Sequence, residues 1–323
     1  MIQASTVVIL ALVALFASAC EQPSGQPNTS AAAVQVPAQA RLPIIDMHMH
    51  AYEALLLPNG TPPPVPCEPQ PCQETPAAAK STDAILQQTL QQMDKYNVVK
   101  AFLSSDSFSN LDKWVRAAPD RFIASPLIWE PGKPGADALR TEYMKRRFSG
   151  MGELATQYYG FAPNDPKLDP YFALAEELDV PALIHTLGIG AHLPGFRTGS
   201  GNPVLLESVL VKHPKLRLSV EDAGYPFSAE MVAMMYQYPQ LYADLSTITW
   251  LIPRETFHDY LRGLMRAGVG KRLMFGSDQV YWPETIGRAI EAIESADFLT
   301  DEQRRDIFYN NAARFLRLNG ARR

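Results

Sequence analysis

Short apolar runs typical of buried strands alternate with amphipathic helical stretches about eight times after Leu42. The predicted strands are Pro43–His50, Val98–Ser104, Phe122–Trp129, Gly152–Gln157, Ala182–Thr186, Leu216–Asp222, Leu241–Ser246 and Arg272–Asp278. The predicted helices between them include Thr82–Tyr96, Asp169–Leu178, Pro203–His213, Ser228–Tyr238, Arg254–Ala267 and Pro283–Ser295. This alternation fits a (β/α)8 TIM barrel better than an open doubly wound sheet, which normally carries a glycine-rich turn after its first strand. We therefore predict an α/β fold with a single (β/α)8 barrel domain over residues 42–320.

The residues before this pattern predict export. Residues 1–19 have the features of a signal peptide, because an apolar run ends in the small residues Ala17-Ser18-Ala19. The following Cys20 resembles the lipidated first residue of a bacterial lipoprotein, and an ordinary cleavage at the same point is the alternative. Residues 20–41 are rich in Pro, Gln, Ser and Ala and predict a flexible tether. We expect an exported, periplasmic protein that is anchored to a bacterial membrane by lipid on Cys20.

Cysteine usage agrees with an oxidising compartment. With Cys20 removed or lipidated, Cys67 and Cys72 remain as an even pair in a proline-rich loop, where a disulfide is expected. A metal site on these thiols is the weaker alternative, because two thiols do not complete a zinc site. The net charge of −5 argues against a nucleic-acid partner, and no apolar run after the N-terminus is long enough to span a membrane. The expected partner is a small-molecule substrate, and a homodimer is left open.

The first predicted strand ends in Asp46-Met47-His48-Met49-His50. Side chains alternate along a strand, so His48 and His50 share one face, and two imidazoles placed in this way can bind one metal ion. Asp46 lies on the same face one step back, where it could orient a histidine. A third ligand and an open coordination position would make such a site catalytic. For this motif taken alone, a strand that ends in polar residues by chance is the alternative.

Other polar residues fall at the carboxyl ends of later strands, where TIM barrels place their active sites. They are Glu153 in strand four, His185 at the end of strand five, Glu221 and Asp222 at the end of strand six, and Asp278 at the end of strand eight. Because neighbours on a strand alternate, Glu221 and Asp222 cannot both face the barrel, and we favour Asp222. Glu153 either ligates a metal or pairs with a cation inside the barrel. Three neutral imidazoles and a carboxylate suit Zn²⁺ or a similar divalent ion.

These residues resemble the amidohydrolase superfamily, and within it the amidohydrolase-related group that includes aminocarboxymuconate-semialdehyde decarboxylase. The shared marks, in chain order, are Asp46-Met47-His48-Met49-His50, Ala182-Leu183-Ile184-His185-Thr186, Phe275-Gly276-Ser277-Asp278 and Asn310-Asn311-Ala312-Ala313-Arg314-Phe315-Leu316. The resemblance implies that His48, His50, His185 and Asp278 form the metal site. It also matches Glu153 to a strand end where some members place a metal-bridging residue. The chain departs from the family at strand six, where Asp222 stands in place of the usual histidine, so the decarboxylase-type use of that histidine is not carried over.

The resemblance and the predicted site together favour an exported, metal-dependent hydrolase in which metal-activated water attacks an amide, ester or lactone. The predicted catalytic residues are Asp278, Asp222 and Glu153, with Asp278 acting as a metal ligand, a proton acceptor or both. His192 and Arg197, in the glycine-rich loop after strand five, are predicted substrate contacts, and solvated loop residues are the alternative. Two other functions stay open, a non-oxidative decarboxylase of an unsaturated or aromatic carboxylic acid and a catalytically inactive periplasmic binding barrel.

Overall fold

The computed structural model describes residues 41–70, 72, 78–190 and 193–318. The predicted signal peptide, nearly all of the predicted tether, Cys20 and His192 lie outside these residues, so what was expected of them stays a prediction. Within the described part of the chain, no helix has the length and apolar character needed to cross a membrane.

Eight parallel strands run through the described residues. They are β1 (Ile44–His50), β2 (Val98–Ser105), β3 (Phe122–Pro126), β4 (Met151–Leu154), β5 (Ala182–Ile184), β6 (Leu218–Val220), β7 (Leu241–Asp244) and β8 (Leu273–Met274). Neighbours in the chain pair from β1 to β3 and from β4 to β8, and a parallel bridge between Ile128 and Leu154 joins the two sheets. The ring closes because Met47 N–H donates to the carbonyl of Phe275 (2.8 Å). The predicted (β/α)8 barrel is confirmed.

The helices lie between successive strands and after the last one. They are α1 (Thr82–Tyr96), α2 (Phe108–Ala117), α3 (Ala136–Met144), α4 (Asp169–Glu177), α5 (Glu207–Lys212), α6 (Ser228–Gln237), α7 (Ile248–Leu251), α8 (Arg254–Arg266), α9 (Thr285–Glu294), α10 (Asp301–Arg305) and α11 (Asn311–Phe315). The predicted start of α1 is confirmed, because the Ser81 hydroxyl accepts a hydrogen bond from Ala84 N–H (3.2 Å). A π-helical turn, Asp306–Asn310, joins α10 to α11.

A small apolar cluster fills the barrel beneath the strand ends. Its buried members are Ile45, Met47, Phe102, Leu183, Met274, Ala312, Ala313 and Phe315. Phe102 and Leu183 lie two residues before Ser104 and His185 on their strands, so each faces the same side as that polar residue. Helix α11 packs on the same cluster. The polar strand ends therefore stand on a close-packed apolar base that holds them in fixed positions.

Candidate metal centre

The two histidines at the end of β1 bring their Nε2 atoms together. Nε2 of His48 lies 3.1 Å from Nε2 of His50. Serine hydroxyls hydrogen bond to the Nδ1 atoms from behind, Ser246 Oγ to His48 (2.9 Å) and Ser104 Oγ to His50 (2.9 Å). Such bonds fix the orientation of each ring and leave both Nε2 atoms for a ligand. Two nitrogens bound to one tetrahedral zinc ion lie about 3.3 Å apart, which is close to the observed spacing.

Glu153 approaches the same point from β4. Its Oε2 lies 3.3 Å from His50 Nε2, and its Oε1 lies 3.1 Å from His185 Nδ1. The preceding Gly152 has a φ of +99°, and a Cβ there would lie 2.3 Å from the carbonyl oxygen of Leu183 on β5. Glycine permits this close approach of the two strands because it has no Cβ. Glu153 thus links the histidines of β1 with the histidine that follows β5.

Asp278 follows β8 and completes the cluster. Its Oδ1 lies 3.0 Å from His50 Nε2, and Thr247 Oγ1 donates a short hydrogen bond to its Oδ2. The backbone N–H of Asp278 donates to the carbonyl of His48 (2.8 Å). Gly276 permits this packing, since a Cβ there would lie 2.9 Å from Cβ of His48. Burial opposes ionisation of Asp278, but the nearby His48 and His50 outweigh it and lower the pKa of the Asp278 carboxyl.

The segment after β6 brings two carboxylates into the site. The expectation that only one of Glu221 and Asp222 could face the barrel is wrong, because β6 ends at Val220 and Asp222 turns the chain with a φ of 57°. Both oxygens of Glu221 are buried without a hydrogen-bond partner among the described residues. Asp222 Oδ1 instead accepts from the backbone N–H of Thr247 (2.9 Å). Glu221 is therefore available as a ligand through both oxygens. Asp222 supports the loop after β7 through Oδ1, while its Oδ2 lies 3.8 Å from His185 Nδ1, and its catalytic role stays a prediction.

The arrangement of these side chains fits a divalent metal ion. Their ligand atoms form three groups, each within 4.8 Å, namely His48–His50–Glu153, His48–Glu221–Asp244 and Glu153–His185–Glu221. Nε2 of the buried His185 has no hydrogen-bond partner among the described residues, while its Nδ1 faces Glu153 Oε1. Buried polar atoms are nearly always paired with protein, water or an ion, so unpaired atoms at one point indicate a binding site.

The charge balance of the site also favours a cation. Burial raises the pKa of Glu221 well above its usual value. Burial opposes ionisation of Glu153 as well, yet His185 and His48 hold the pKa of Glu153 well below its usual value. Burial alone would lower the pKa of His48, but the carboxylates of Glu221 and Asp278 outweigh it and raise that pKa well above its usual value. A divalent ion would supply the positive charge and leave the imidazoles neutral, as metal ligation requires.

Two further buried side chains tie β1 to the segment after β8. Asp46 Oδ1 accepts from the backbone N–H groups of His48 (3.0 Å) and Ser277 (2.9 Å). Gln279 accepts from His50 N–H (3.0 Å) through Oε1 and donates to His50 O (2.6 Å) through Nε2. Burial raises the pKa of Asp46 to about 7. Asp46 therefore supports His48 through its backbone rather than through its ring.

A cavity of about 170 Å³ lies over this cluster, and His50, Glu153, His185 and Asp278 contribute to its lining. The aromatic lining residues are Tyr52, Trp129, Tyr158, Trp250, Tyr281 and Trp282. Tyr52 stacks on His50 with a centroid distance of 4.7 Å, and the Tyr158 ring lies 4.5 Å from that of His185. Burial raises the pKa of the Tyr52 phenol and of the Tyr158 phenol well above the usual value for tyrosine. Both phenols therefore stay protonated and can donate hydrogen bonds.

Arg197, a predicted substrate contact, does not line this cavity. Its exposed guanidinium donates to the carbonyls of Pro194 (2.8 Å) and Phe196 (2.7 Å) within its own loop. A substrate contact by Arg197 stays a prediction, as does the one expected of His192.

The proline-rich loop lies at the cavity. Cys67 and Cys72 are bonded to each other, with their Cα atoms 5.5 Å apart. Pro66 and Glu68, on either side of Cys67, line the cavity. The disulfide therefore closes a loop that contributes to the binding site.

Several side chains of the site were not predicted. They are Ser104, Asp244, Ser246 and Thr247, whereas Glu221 was named as a strand-end candidate and Asp222 was preferred to it. Ser104 ends a predicted strand, and the run Asp244-Leu245-Ser246-Thr247 begins at the last residue of the seventh strand, so both had the strand-end position that was used for the histidines. Their position in the sequence was a usable signal, although their residue types were less distinctive.

Comparison with known proteins identifies the family. The Amidohydrolase family model matches residues 45–318, which is most of the chain. Among curated proteins, Protein fluG of Emericella nidulans is 23% identical over 154 residues, which cover 43% of this chain and 18% of that protein. The chain thus spans less than a fifth of the length of that relative.

Solved structures share the fold. An uncharacterised TIM-barrel protein from Bordetella bronchiseptica has a TM-score of 0.63 at 16% identity and covers 85% of this chain and 99% of its own. A probable 2-pyrone-4,6-dicarboxylic acid hydrolase from Acinetobacter baumannii, solved with citric acid, has a TM-score of 0.59 at 14% identity, with 85% and 99% covered. A 5-carboxyvanillate decarboxylase from Novosphingobium aromaticivorans, solved with manganese and 4-hydroxy-3-methoxy-5-nitrobenzoic acid, has a TM-score of 0.53 at 18% identity, with 71% and 79% covered. With the match over residues 45–318, the chain belongs to the amidohydrolase family.

Proposed function

We propose that this protein is a metal-dependent hydrolase of an amide, ester or lactone, with zinc as its ion. One observation carries the proposal: the ring nitrogens of His48 and His50 converge with the carboxylates of Glu153 and Asp278 at one cavity. His185 contacts this cluster as well, because its Nδ1 lies 3.1 Å from Glu153 Oε1. Imidazole and carboxylate donors suit zinc, and the manganese in the decarboxylase structure supports a divalent ion in this fold.

The residues around the cavity fit hydrolysis. A divalent ion held by His48, His50, Glu153 and Asp278 would supply two kinds of chemistry, activation of water near neutral pH and polarisation of a substrate carbonyl. Thr247 donates to Oδ2 of Asp278, which leaves Oδ1, 3.0 Å from His50 Nε2, as the oxygen that faces the metal centre and accepts a proton. The protonated phenols of Tyr52 and Tyr158 supply donors for substrate oxygens, which an ionised Asp222 cannot do.

Decarboxylation is the second candidate, because one structure with this fold is that of a 5-carboxyvanillate decarboxylase. The cavity lining favours hydrolysis, since no lysine or arginine of the described chain lies in it to hold a substrate carboxylate. An inactive binding barrel is the third candidate, and it would bind the same ligands without turnover.

The test combines metal analysis with product analysis. We expect the purified protein to contain a divalent ion by mass spectrometry and to hydrolyse members of an ester, lactone and amide panel. A chelator should abolish the activity and zinc should restore it. Release of CO₂ without hydrolysis would establish decarboxylation instead, and a protein that binds no divalent ion would overturn both enzymatic functions.

The role of Asp278 has its own variant. Asp278→Asn should lower kcat by about a hundredfold or more, because the amide cannot accept the proton. Asp297→Asn, which changes an exposed aspartate, is the matched control and should leave kcat unchanged. Wild-type turnover by Asp278→Asn would contradict the assignment.

We also propose that the protein is exported to the periplasm and anchored by lipid on Cys20. The apolar N-terminal run and the bonded pair Cys67–Cys72 support an oxidising compartment. Incorporation of labelled palmitate into the wild type and its loss in Cys20→Ser would support the anchor. Light scattering of the purified protein would decide the open question of a homodimer.

A further inference from the structure

Apart from His50 and His185 at the metal centre, the cavity walls carry mainly acidic, aromatic and apolar side chains. Besides Glu153 and Asp278 at the metal centre, Glu68 is the acidic residue that lines it. No lysine or arginine of the described residues is in the lining. The internal positions outside the described residues, 71, 73–77 and 191–192, contain neither lysine nor arginine. A substrate group that faces this wall therefore meets negative charge and aromatic rings.

Glu68 is held at the cavity by its loop. Its backbone N–H donates to the carbonyl of Leu251 (2.6 Å), and Leu251 lines the same cavity. Glu68 lies inside the loop that the disulfide between Cys67 and Cys72 closes. Glu68 is partly buried, and no lysine or arginine of the described chain forms an ion pair with its carboxylate. The carboxylate is thus positioned and available to a ligand.

Hydrogen bonds and ring stacking also hold the aromatic rings that line the cavity. The indole N–H of Trp282 donates to Pro63 O (2.8 Å), and that of Trp250 donates to Ser277 O (2.8 Å). The Tyr52 ring stacks against that of Tyr281 at a centroid distance of 5.3 Å. Because these polar atoms bond to the protein, the indoles offer their faces and edges to a ligand. The faces of Trp and Tyr rings attract cations.

We propose that this cavity selects substrates that carry a cationic nitrogen, an ammonium or guanidinium group, and that Glu68 is the residue that sets this specificity. The inference rests on the proposed function, in which the scissile carbonyl lies at the metal centre. The cation then pairs with Glu68 at the cavity wall, where partial burial strengthens the attraction. A substrate carboxylate at the same place is repelled by Glu68 and finds no basic partner.

The experiment compares two probes of the same shape that differ in charge, choline and 3,3-dimethylbutan-1-ol. By calorimetry or NMR titration of the metal-loaded protein, we expect choline to bind about tenfold more tightly. Glu68→Gln should weaken choline binding about fivefold and leave the alcohol unaffected. Glu53→Gln, which changes an exposed glutamate outside the lining, is the control and should leave both affinities unchanged. Equal affinity for the two probes, or an unchanged preference in Glu68→Gln, would overturn the proposal.

The acetate esters of the same two alcohols separate this inference from the proposed function. Choline and 3,3-dimethylbutan-1-ol themselves have no hydrolysable bond, so their binding is measured without turnover. If neither ester is hydrolysed but choline is preferred through Glu68, esterase activity is refuted and the inference stands. If both esters are hydrolysed with equal kcat/KM, hydrolysis is supported and the inference is overturned. A Glu68→Lys variant should bind 3,3-dimethylbutan-1-ol more tightly than choline. This variant gives a second test that is independent of Glu68→Gln.

Discussion

Replacing Gly152 with alanine tests how the fold positions Glu153. Gly152 has a φ of +99°, a conformation that residues with a Cβ rarely adopt. An added Cβ would lie 2.3 Å from the carbonyl oxygen of Leu183 and 2.8 Å from the backbone nitrogen of Leu154. Both neighbours are backbone atoms of barrel strands, so neither can move aside as the end of a flexible side chain could. The substitution therefore forces β4 away from β5.

The expected cost combines two effects. A left-handed conformation costs a non-glycine residue about 1–2 kcal/mol. Overpacking of a close-packed interior costs about 1–3 kcal/mol more. Gly152→Ala should thus lower the free energy of unfolding by about 2–5 kcal/mol. Because Glu153 follows directly and contacts both His50 and His185, the variant should also bind the metal ion more weakly.

The assay is urea denaturation followed by circular dichroism, with the midpoint compared at constant m-value. Gly263→Ala is the matched control, because Gly263 lies in α8, lacks a positive φ, and an added Cβ there would meet no atom within 4 Å. Alanine is the better helix former, so this control should stabilise the protein by up to about 1 kcal/mol. A change in Gly152→Ala of less than about 0.5 kcal/mol, with normal metal binding, would refute the reasoning.

Two further predictions concern the loop and the C-terminal helix. Cys67→Ser opens a disulfide with a sequence separation of 5, which should lower the free energy of unfolding by about 2 kcal/mol, and reduction of the wild type should match it in the same urea assay. Asn311→Ala removes hydrogen bonds to the carbonyls of Gly270 (2.8 Å) and Leu273 (2.7 Å), which should cost about 1–3 kcal/mol, with turnover of the folded protein retained. If the free energy of unfolding of either variant changed by less than about 0.5 kcal/mol, the explanation given for that variant would be contradicted.

Much of the barrel could be predicted from the chain because its strands are buried apolar runs. Each of the eight predicted strands is present, but most end earlier than predicted, as β8 does at Met274 rather than at Asp278. The reason is that the polar residues after each strand leave the ladder and turn into the site. Apolar periodicity detects burial, and it does not detect where hydrogen bonding to the next strand stops.

The site was predictable where it depends on strand position and obscure where it depends on turns. His48, His50 and His185 needed only the rule that active-site residues lie at the carboxyl ends of strands. Glu221 was passed over because the alternation rule was applied beyond Val220, whereas the chain turns at the left-handed Asp222. Glu221 lies 3.7 Å from His48 and Asp222 lies 3.8 Å from His185, so both carboxylates reach the site. The placement of Arg197 depends on a loop whose own carbonyls accept its guanidinium hydrogen bonds. Residue types alone do not show whether a loop or a substrate accepts the hydrogen bonds of such a guanidinium.

The metal centre is assembled where the last strand meets the first. Asp46 bonds the backbone of both His48 and Ser277, and Asp278 bonds the carbonyl of His48. Gln279 in turn bonds both backbone groups of His50. These contacts join residues separated by most of the barrel sequence, so the ligand set forms only when the barrel closes. A metal ion bound at these ligands would therefore stabilise the closed barrel over states in which β8 has separated from β1, since an ion that binds only the assembled state shifts the equilibrium towards it.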